Sequence, residues 1–155
     1  MRIVKILILF CLISITAFAS DTLKINKKRL YTVLSAETAA YGLTMTGLYV
    51  IWYKDYPKSS FHWFDDSKEW LQMDKTGHFY SSYVLSRLSS QSLIWSGLDH
   101  NKSILYGSSM SFVFMSSVEI FDGFSDKWGA SWSDILSNIA GTGLYALQEI
   151  YWNEQ

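Results

Sequence analysis

The stretch SILYGSSMSFVFMSSV at residues 103–118 decides the fold, because its sixteen residues contain neither a charge nor a proline. An uncharged, largely apolar run of this length indicates a helix buried among other helices. Glu119 is the first charge after it, and a glycine-containing segment at residues 123–129 breaks the pattern. The run therefore predicts a helix from about Ser103 to Phe121.

Two predicted helices precede this run. Residues 27–53 contain no proline and residues 38–53 carry no charge, so together they predict a long first helix. Pro57 and the serines that follow it stop that helix. A second long helix is expected from Asp74 to about Trp95, before a turn at residues 97–101.

Two further elements complete the predicted architecture. Asp66, followed three residues later by Glu69, imitates a helix-capping pair and predicts a short helix from about Ser67 to Gln72. The capping box Ser131-Trp132-Ser133-Asp134 opens a fourth long helix that runs to about Tyr151. The fold class that we predict is all-α, a compact bundle of about four main helices.

Residues 1–19 have the order of a secretory signal. Two basic residues within the first five precede an apolar stretch, and Ala17-Phe18-Ala19 is a small-x-small cleavage site. We predict cleavage after Ala19, which leaves residues 20–155 as one envelope domain, and a retained anchor is the alternative. The predicted location is the cell envelope, either periplasmic or membrane-associated.

Cys11, inside the apolar stretch, is the only cysteine of the chain. Lipid attachment requires a small residue before the modified cysteine, where this chain has Phe10. The exported domain therefore lacks a thiol, which excludes a disulfide framework, a thiolate nucleophile and a cysteine zinc site. Its eleven basic and fourteen acidic residues provide no basic field, so we expect no nucleic-acid partner.

The lengths of the uncharged stretches are compatible with helices that cross a membrane and with helices that do not. The uncharged stretches of roughly 14 to 19 residues lie at or below the 20 or so that a span requires. Aromatic residues form 17% of the chain, and many lie near predicted helix ends. That position suits a membrane interface and ordinary bundle packing equally. A membrane-embedded or membrane-lying bundle and a soluble periplasmic bundle both fit the sequence, and a membrane or another envelope component is the expected class of partner.

Three of the predicted helices carry a polar stripe. Asp74 and His78 are four residues apart on the second helix, and Glu119 and Asp122 are three apart on the third, so each pair shares a face. The stripe on the fourth helix consists of Asp134, Asn138, Gly141, Tyr145 and Gln148. The ordinary interpretation is that each stripe faces water, with Asp74 and Asp134 acting only as helix caps.

Glu119 fits that interpretation least well, because uncharged residues cover every face of the helix before it. A carboxylate buried without partners is unfavourable, so it should meet a cation, a hydrogen-bond network or a metal. Convergence of the stripes would bring together five candidate ligands of a divalent metal: Asp74, His78, Glu119, Asp122 and Asp134. A structural alternative is an internal ion pair, for instance between Lys75 and Asp122.

The candidate site residues have different expected roles. Asp74, His78 and Glu119 are the candidates for acid–base catalysis. The candidate binding residues are Lys75, Asp122, Ser131, Asp134 and Asn138. Of the remaining polar residues, Glu37 is expected at a solvent-facing or interface position, His62 and His100 in solvated loops, and Asp65 and Asp66 as loop and cap residues. No Gly-x-Ser-x-Gly elbow or P-loop pattern supports a hydrolase or a nucleotide-binding protein.

Four segments, residues 64–70, 73–78, 119–125 and 129–141, contain the elements Asp-Lys-x-x-His and Glu-x-x-Asp-Gly-Phe-Ser. In this combination the chain resembles the YfiM-like family, domain of unknown function 2279, of predicted periplasmic lipoproteins. The resemblance implies an envelope location but no reaction. The positions that it marks as shared are Asp74, Lys75, His78, Glu119, Asp122, Gly123, Ser125, Ser131, Asp134, Asn138 and Gly141. The Asp-Lys-x-x-His element alone is also similar to VanZ-like membrane proteins.

Two classes of function follow from these residues. In the first, the chain is a structural or binding component of the envelope, and the polar cluster is a closed network. In the second, it is a metal-dependent or acid–base hydrolase of an envelope molecule, with His78 as the base and the carboxylates as ligands. An open cleft that reaches the cluster favours the hydrolase, and a sealed cluster favours the structural component.

Overall fold

The computed structural model describes residues 25–66, 68 and 70–152. They form four α-helices, α1 (Lys27–Leu48), α2 (Met73–Trp95), α3 (His100–Gly123) and α4 (Trp132–Tyr151). The last residues of the predicted first helix, Tyr49–Tyr53, form a π-helical turn, and a 3-10 turn at Trp70–Gln72 precedes α2. The predicted all-α bundle of four main helices is confirmed.

Two groups of predictions lie outside the described residues. The signal segment and cleavage site at residues 1–19 form the first group. Ser67 and Glu69 form the second, and with them the start of the predicted short helix and its capping pair. Trp70–Gln72 is the part of that short helix that the structure describes.

Side-chain caps begin three of the four helices. Asn26 accepts a hydrogen bond from the backbone N–H of Arg29 at the start of α1 (3.2 Å), and Asp99 caps α3 in the same way (3.1 Å). The Ser131 hydroxyl accepts from the N–H of Asp134 at 3.2 Å, as the predicted capping box requires. Asp74 is not a cap, because α2 begins one residue earlier, at Met73.

The turn before α2 has an unfavourable backbone. Leu71 and Gln72 have φ angles of 51° and 65°, so two successive non-glycine residues adopt the left-handed region. Such conformations cost about 1 to 3 kcal/mol each and persist where the surrounding structure enforces them. The strained turn lies directly before the segment of α2 that carries Asp74 and Lys75.

Successive helices run in opposite directions. The N–H of Asn26, before α1, donates to the carbonyl of Ser96, after α2 (2.9 Å), while Tyr53 and Asp122 join the ends of α1 and α3 (2.7 Å). As a result, residues 54–66 and 124–131 lie together, and we call this the loop end of the bundle. Backbone bridges from Lys58 to Ser125 and from Trp63 to Ala130 connect its two segments.

Small residues allow α2, α3 and α4 to pack closely. Serines at four-residue spacing on α2, Ser82, Ser86 and Ser90, are fully buried. A Cβ atom at Gly107 of α3 would overlap Ser90, and one at Gly141 of α4 would overlap the carbonyl oxygen of Phe79. Glycine is therefore required at both positions by the distance between the helices.

The packed serines also form hydrogen bonds between helices. The Ser111 hydroxyl of α3 donates to the carbonyl of Ser82 in α2 at 2.8 Å. The same carbonyl accepts from the Ser86 hydroxyl at 2.7 Å. The α2–α3 contact is thus directional as well as close.

The interior of the bundle is mostly polar. Among the described residues, fourteen polar or charged residues are buried, against eight hydrophobic ones. On α4 the stripe of Asp134, Asn138, Gly141 and Tyr145 faces inward, and the opposite face, which includes Leu136 and Leu147, is exposed. The interpretation of the stripe as water-facing is therefore wrong for these four residues, and Gln148, its fifth member, is partly buried.

One helix of the described part of the chain, α3, is long and apolar enough to cross a membrane by length and composition.

Candidate functional site

Lys75 lies at the centre of a network of charged residues near the loop end. Its ammonium contacts the Asp66 carboxylate and lies 3.1 Å from Asp134 Oδ1 and 3.6 Å from Asp74 Oδ2. The predicted ion pair between Lys75 and Asp122 is wrong. Asp122 instead accepts a hydrogen bond from the hydroxyl of Tyr53 at 2.7 Å.

Asp66 is a charged member of the network that was not among the predicted site residues. It was expected to be a loop or cap residue, but its Oδ1 accepts hydrogen bonds from the hydroxyls of Ser131 (2.8 Å) and Ser133 (3.0 Å). Burial alone would raise the pKa of Asp66. The hydrogen bonds from Lys75, Ser131, Asp134 and Ser133 outweigh burial and hold that pKa well below its usual range. Asp66 is therefore an ionised partner of Lys75. Its place in the family-like segment at residues 64–70 is the sequence signal that could have indicated this role.

Glu119 connects the end of α3 to the start of α4. Its Oε2 accepts the backbone N–H of Ser131 at 2.9 Å, and the residue is 3% exposed. In an ordinary capping box, the backbone N–H of the capping residue donates to the acidic side chain three residues later, which here is Asp134. Because Glu119 takes that function, the Asp134 carboxylate faces Lys75 instead.

His78 lies between α3 and α4. Its Nδ1 is 3.1 Å from Asn138 Oδ1, which also accepts from the Ser82 hydroxyl at 2.9 Å. Since an amide oxygen only accepts, this hydrogen bond requires the proton on Nδ1. The Nε2 atom faces Glu119 Oε1 at 3.5 Å and Asp74 Oδ1 at 3.7 Å. Nε2 is thus the atom positioned to bind a metal or exchange a proton.

The structure brings most of the predicted site residues into one network. Its predicted members are Asp74, Lys75, His78, Glu119, Ser131, Asp134 and Asn138. Asp122 lies at its edge with Tyr53, which the sequence analysis also missed along with Ser82 and Ser133. These missed groups are a phenol and two hydroxyls in segments rich in the same residue types, so no pattern distinguishes them.

The network is largely closed to solvent. The side chains of Lys75 and His78 are each 11% exposed, and those of Glu119 and Asp134 are each 4% exposed. The Asp74 side chain, at 46% exposed, is the solvent-facing member of these ion pairs. A molecule in solution would therefore meet Asp74 first.

Three residues of the network fit a metal ion. Asp74, His78 and Asp134 each offer one ligand atom, and the three atoms lie within 4.8 Å of one another. Carboxylate oxygen and imidazole nitrogen suit several divalent first-row metals. Among the five predicted ligands, Glu119 and Asp122 lie outside this group.

A shallow groove of about 430 Å³ lies beside the network at the loop end. Stacked rings of Trp63 and Trp132, 4.2 Å apart, form part of its wall. Its lining residues are Trp63, Phe64, Asp65, Trp132, Ser133 and Leu136. The groove therefore reaches the network at Ser133, and His78 does not line it.

Three other polar residues lie away from the network. The expectation that His62 is solvated is wrong, because its Nε2 is 2.7 Å from the carbonyl oxygen of Trp128 and joins the two loop segments. His100 is the first residue of α3 rather than a loop residue, and its Nε2 is buried. Glu37 is partly buried on α1, which agrees with an interface position.

The fold and the network define an all-α protein with an inward-facing Asp/Lys/His/Glu cluster. Residues 62–150 match the family model described as predicted periplasmic lipoprotein (DUF2279), and this covers more than half of the chain. The chain belongs to this family of unknown function, as its motifs indicated, and the family description agrees with an envelope location. No match supports the looser likeness to VanZ-like proteins. Comparison with curated proteins and with solved structures gave no significant match.

Proposed function

We propose that the chain is a structural or binding component of the cell envelope and that its polar network locks α2, α3, α4 and the loop end together. The observation that carries this proposal is the position of the Lys75 ammonium. It lies among the carboxylates of Asp66, Asp74 and Asp134, where it supplies the positive charge that a metal would otherwise supply. The Lys75 ammonium therefore takes the place of a bound metal cation.

The remaining polar groups support the same function. Glu119 bonds a helix N-terminus, Asp66 accepts two hydroxyls, and Asn138 accepts from both His78 and Ser82. Removing one partner from a buried charged network leaves an uncompensated charge and costs about 3 to 5 kcal/mol. A network of this kind fixes one arrangement of the helices without performing a reaction.

Elemental analysis of the purified full chain, with no chelator at any step, tests this function. We expect much less than one metal ion per chain and no rise in melting temperature when Zn²⁺ or Mn²⁺ is added. We also expect the Lys75→Met variant to gain metal binding, because the vacated carboxylates would then need another cation. One metal per wild-type chain, lost from both the His78→Ala and Asp134→Asn variants, would overturn the proposal.

A second candidate function is a metal-dependent or acid–base hydrolase of an envelope molecule. The observation that favours it is the group formed by Asp74, His78 and Asp134, together with the exposure of Asp74. In that case Asp74 and Asp134 hold the metal, and His78 Nε2 binds it or acts as the base. The hydrolase requires the Lys75 ammonium to leave the space between the carboxylates, so wild-type protein with bound metal would support it and metal-free protein would exclude its metal-dependent form.

A further inference from the structure

Each of the four helices exposes large apolar side chains on its outward face. Leu43 on α1, Leu88 on α2, Leu105 on α3 and Leu147 on α4 are each more than half exposed. Single exposed leucines are ordinary on a water-soluble protein. Here, however, they surround the bundle while serines, carboxylates and an asparagine fill its interior.

This distribution is the reverse of that in a soluble helical bundle, where the apolar stripe of each helix faces the core. The reversal is clearest on α4, whose two acids, Asp134 and Glu149, are both buried. The exposed face of α4 includes the large apolar side chains of Trp132, Leu136, Ile139, Leu144, Leu147 and Ile150. Such a helix minimises its free energy when its outer face contacts an apolar medium.

Few charges interrupt the outer surface between the helix ends. Residues 38–53 carry none, and in α3 the first charge after Lys102 is the buried Glu119. Arg87 on α2 is the exposed exception. It lies about two turns from the end of its helix, and its long side chain can extend toward the helix end.

The dimensions of the helices agree with a bilayer. The helices α2, α3 and α4 have 23, 24 and 20 residues, which gives about 30 to 36 Å at 1.5 Å per residue. The hydrocarbon core of a bilayer is about 30 Å thick. Buried serines on α2 and the buried Asp134, Asn138 and Glu149 on α4 lower the mean hydropathy of these two helices. Among the described helices, α3 is the one that composition alone selects.

Aromatic residues lie at both ends of the bundle. The exposed tryptophans Trp52, Trp63 and Trp132 lie at the loop end, and Trp95, Tyr151 and Trp152 lie at the other end. A cation accompanies each group, with Arg29 4.8 Å from the Trp95 ring and Lys127 4.8 Å from the Trp128 ring. Two aromatic belts with adjacent basic residues are typical of the two interfaces of a membrane.

The internal packing is also that of membrane helices. Helices in lipid gain little from the hydrophobic effect when they associate, so they use small residues and hydrogen bonds between helices. Gly107 against Ser90, Gly141 against Phe79, and the Ser111–Ser82 hydrogen bond are contacts of these two types.

We infer that α1 to α4 form a bundle embedded in a phospholipid bilayer, with the apolar outer faces of the four helices in contact with lipid hydrocarbon. The polar network belongs to the helix ends, since Asp74 is in the first turn of α2 and Asp134 in the first turn of α4. It therefore lies toward the membrane–water boundary. The inference does not depend on the function proposed for the network.

Cysteine accessibility in opened membranes tests the inference, because both faces of the membrane are then exposed to reagent. In a Cys11→Ser background, single cysteines replace Leu43, Leu88, Leu105 or Leu147, one on each helix. Ser60→Cys and Asp126→Cys are matched controls at exposed loop positions. The reagent is a membrane-impermeant maleimide, which reacts with the thiolate form of cysteine. A cysteine surrounded by hydrocarbon stays in the thiol form and is protected.

We expect both controls to react and all four helix positions to react at least about tenfold more slowly, with every position reacting after denaturation in SDS. Reaction of the helix positions at the rate of the controls would show that these faces meet water and would overturn the inference. Protection of only one helix, or of two adjacent ones, would indicate a protein partner and would overturn it as well. An N-terminal anchor alone protects none of the four positions, so it cannot produce the expected result.

Discussion

The carboxylate of Glu119 accepts the backbone N–H of Ser131 at 2.9 Å, so the end of α3 caps the start of α4. This contact predicts a difference between two substitutions. Burial raises the pKa of Glu119 to about 8, so the side chain is mostly uncharged at neutral pH. Glu119→Gln keeps an uncharged side chain with an oxygen acceptor, so it should change the free energy of unfolding by less than about 1 kcal/mol. Glu119→Ala leaves a buried N–H without a partner and should cost about 1 to 3 kcal/mol. Denaturant unfolding of both variants measures the difference, and equal losses would show that the hydrogen bond is unimportant.

Lys75 should be among the residues on which stability depends most. Lys75→Met removes the ammonium from among Asp66, Asp74 and Asp134, and we expect a loss of about 3 to 5 kcal/mol. Lys54→Met is the matched control, because Lys54 is exposed, and it should change stability by less than about 0.5 kcal/mol. Thermal unfolding in one buffer compares them. A Lys75→Met protein as stable as the control would mean that the network contributes nothing to the fold.

The close approach of α4 to α2 predicts opposite effects of two alanine substitutions in one helix. At Gly141 a Cβ atom would overlap the Phe79 carbonyl oxygen, which is backbone and cannot move aside, whereas at Gly143 nothing lies within 4 Å. Gly141→Ala should therefore lower stability by about 1 to 3 kcal/mol. Gly143→Ala should be neutral or gain up to about 1 kcal/mol of helix propensity. The melting temperatures of the two variants decide the matter, and similar values would contradict the structure.

Asp66 predicts a particular dependence of stability on pH. Its partners hold its pKa below the ordinary 3.8 of an aspartate. A carboxyl group with a lowered pKa binds its proton more readily in the unfolded chain, so its contribution is present above about pH 4 and is lost as the pH falls through the folded pKa. The difference in melting temperature between wild type and Asp66→Asn should therefore be large at pH 6 and shrink below about pH 4. A difference that stays constant over this range would show that Asp66 is not the ionised partner of Lys75.

The helices could be predicted because their signals are local. Pro57, the glycine-containing breaks and the uncharged runs locate the four helices to within a few residues. The direction of each polar stripe could not be predicted in the same way. Periodicity identifies which residues share a face of a helix. The same periodicity occurs whether that face contacts water or other helices.

The site was predicted in part for a related reason. Asp74, His78 and Asp134 stand out because they interrupt apolar helices, and the structure brings them together. Asp66 lies in a loop, and its partner Ser131 is 65 residues further along the chain. A contact at that separation depends on the completed tertiary structure, so no local pattern indicates it.

The regular spacing of small residues has a consequence for how the helices find their alignment. Serines recur every four residues along α2, so a slide of one turn, about 5.4 Å, would again place small residues opposite one another. Close packing alone is therefore compatible with more than one register of α2 against its neighbours. The hydrogen bond from Ser111 to Ser82 and the contacts of Lys75 with Asp66 and Asp134 exist in only one of these alignments. The polar contacts thus select a single register of α2 among several that are sterically equivalent.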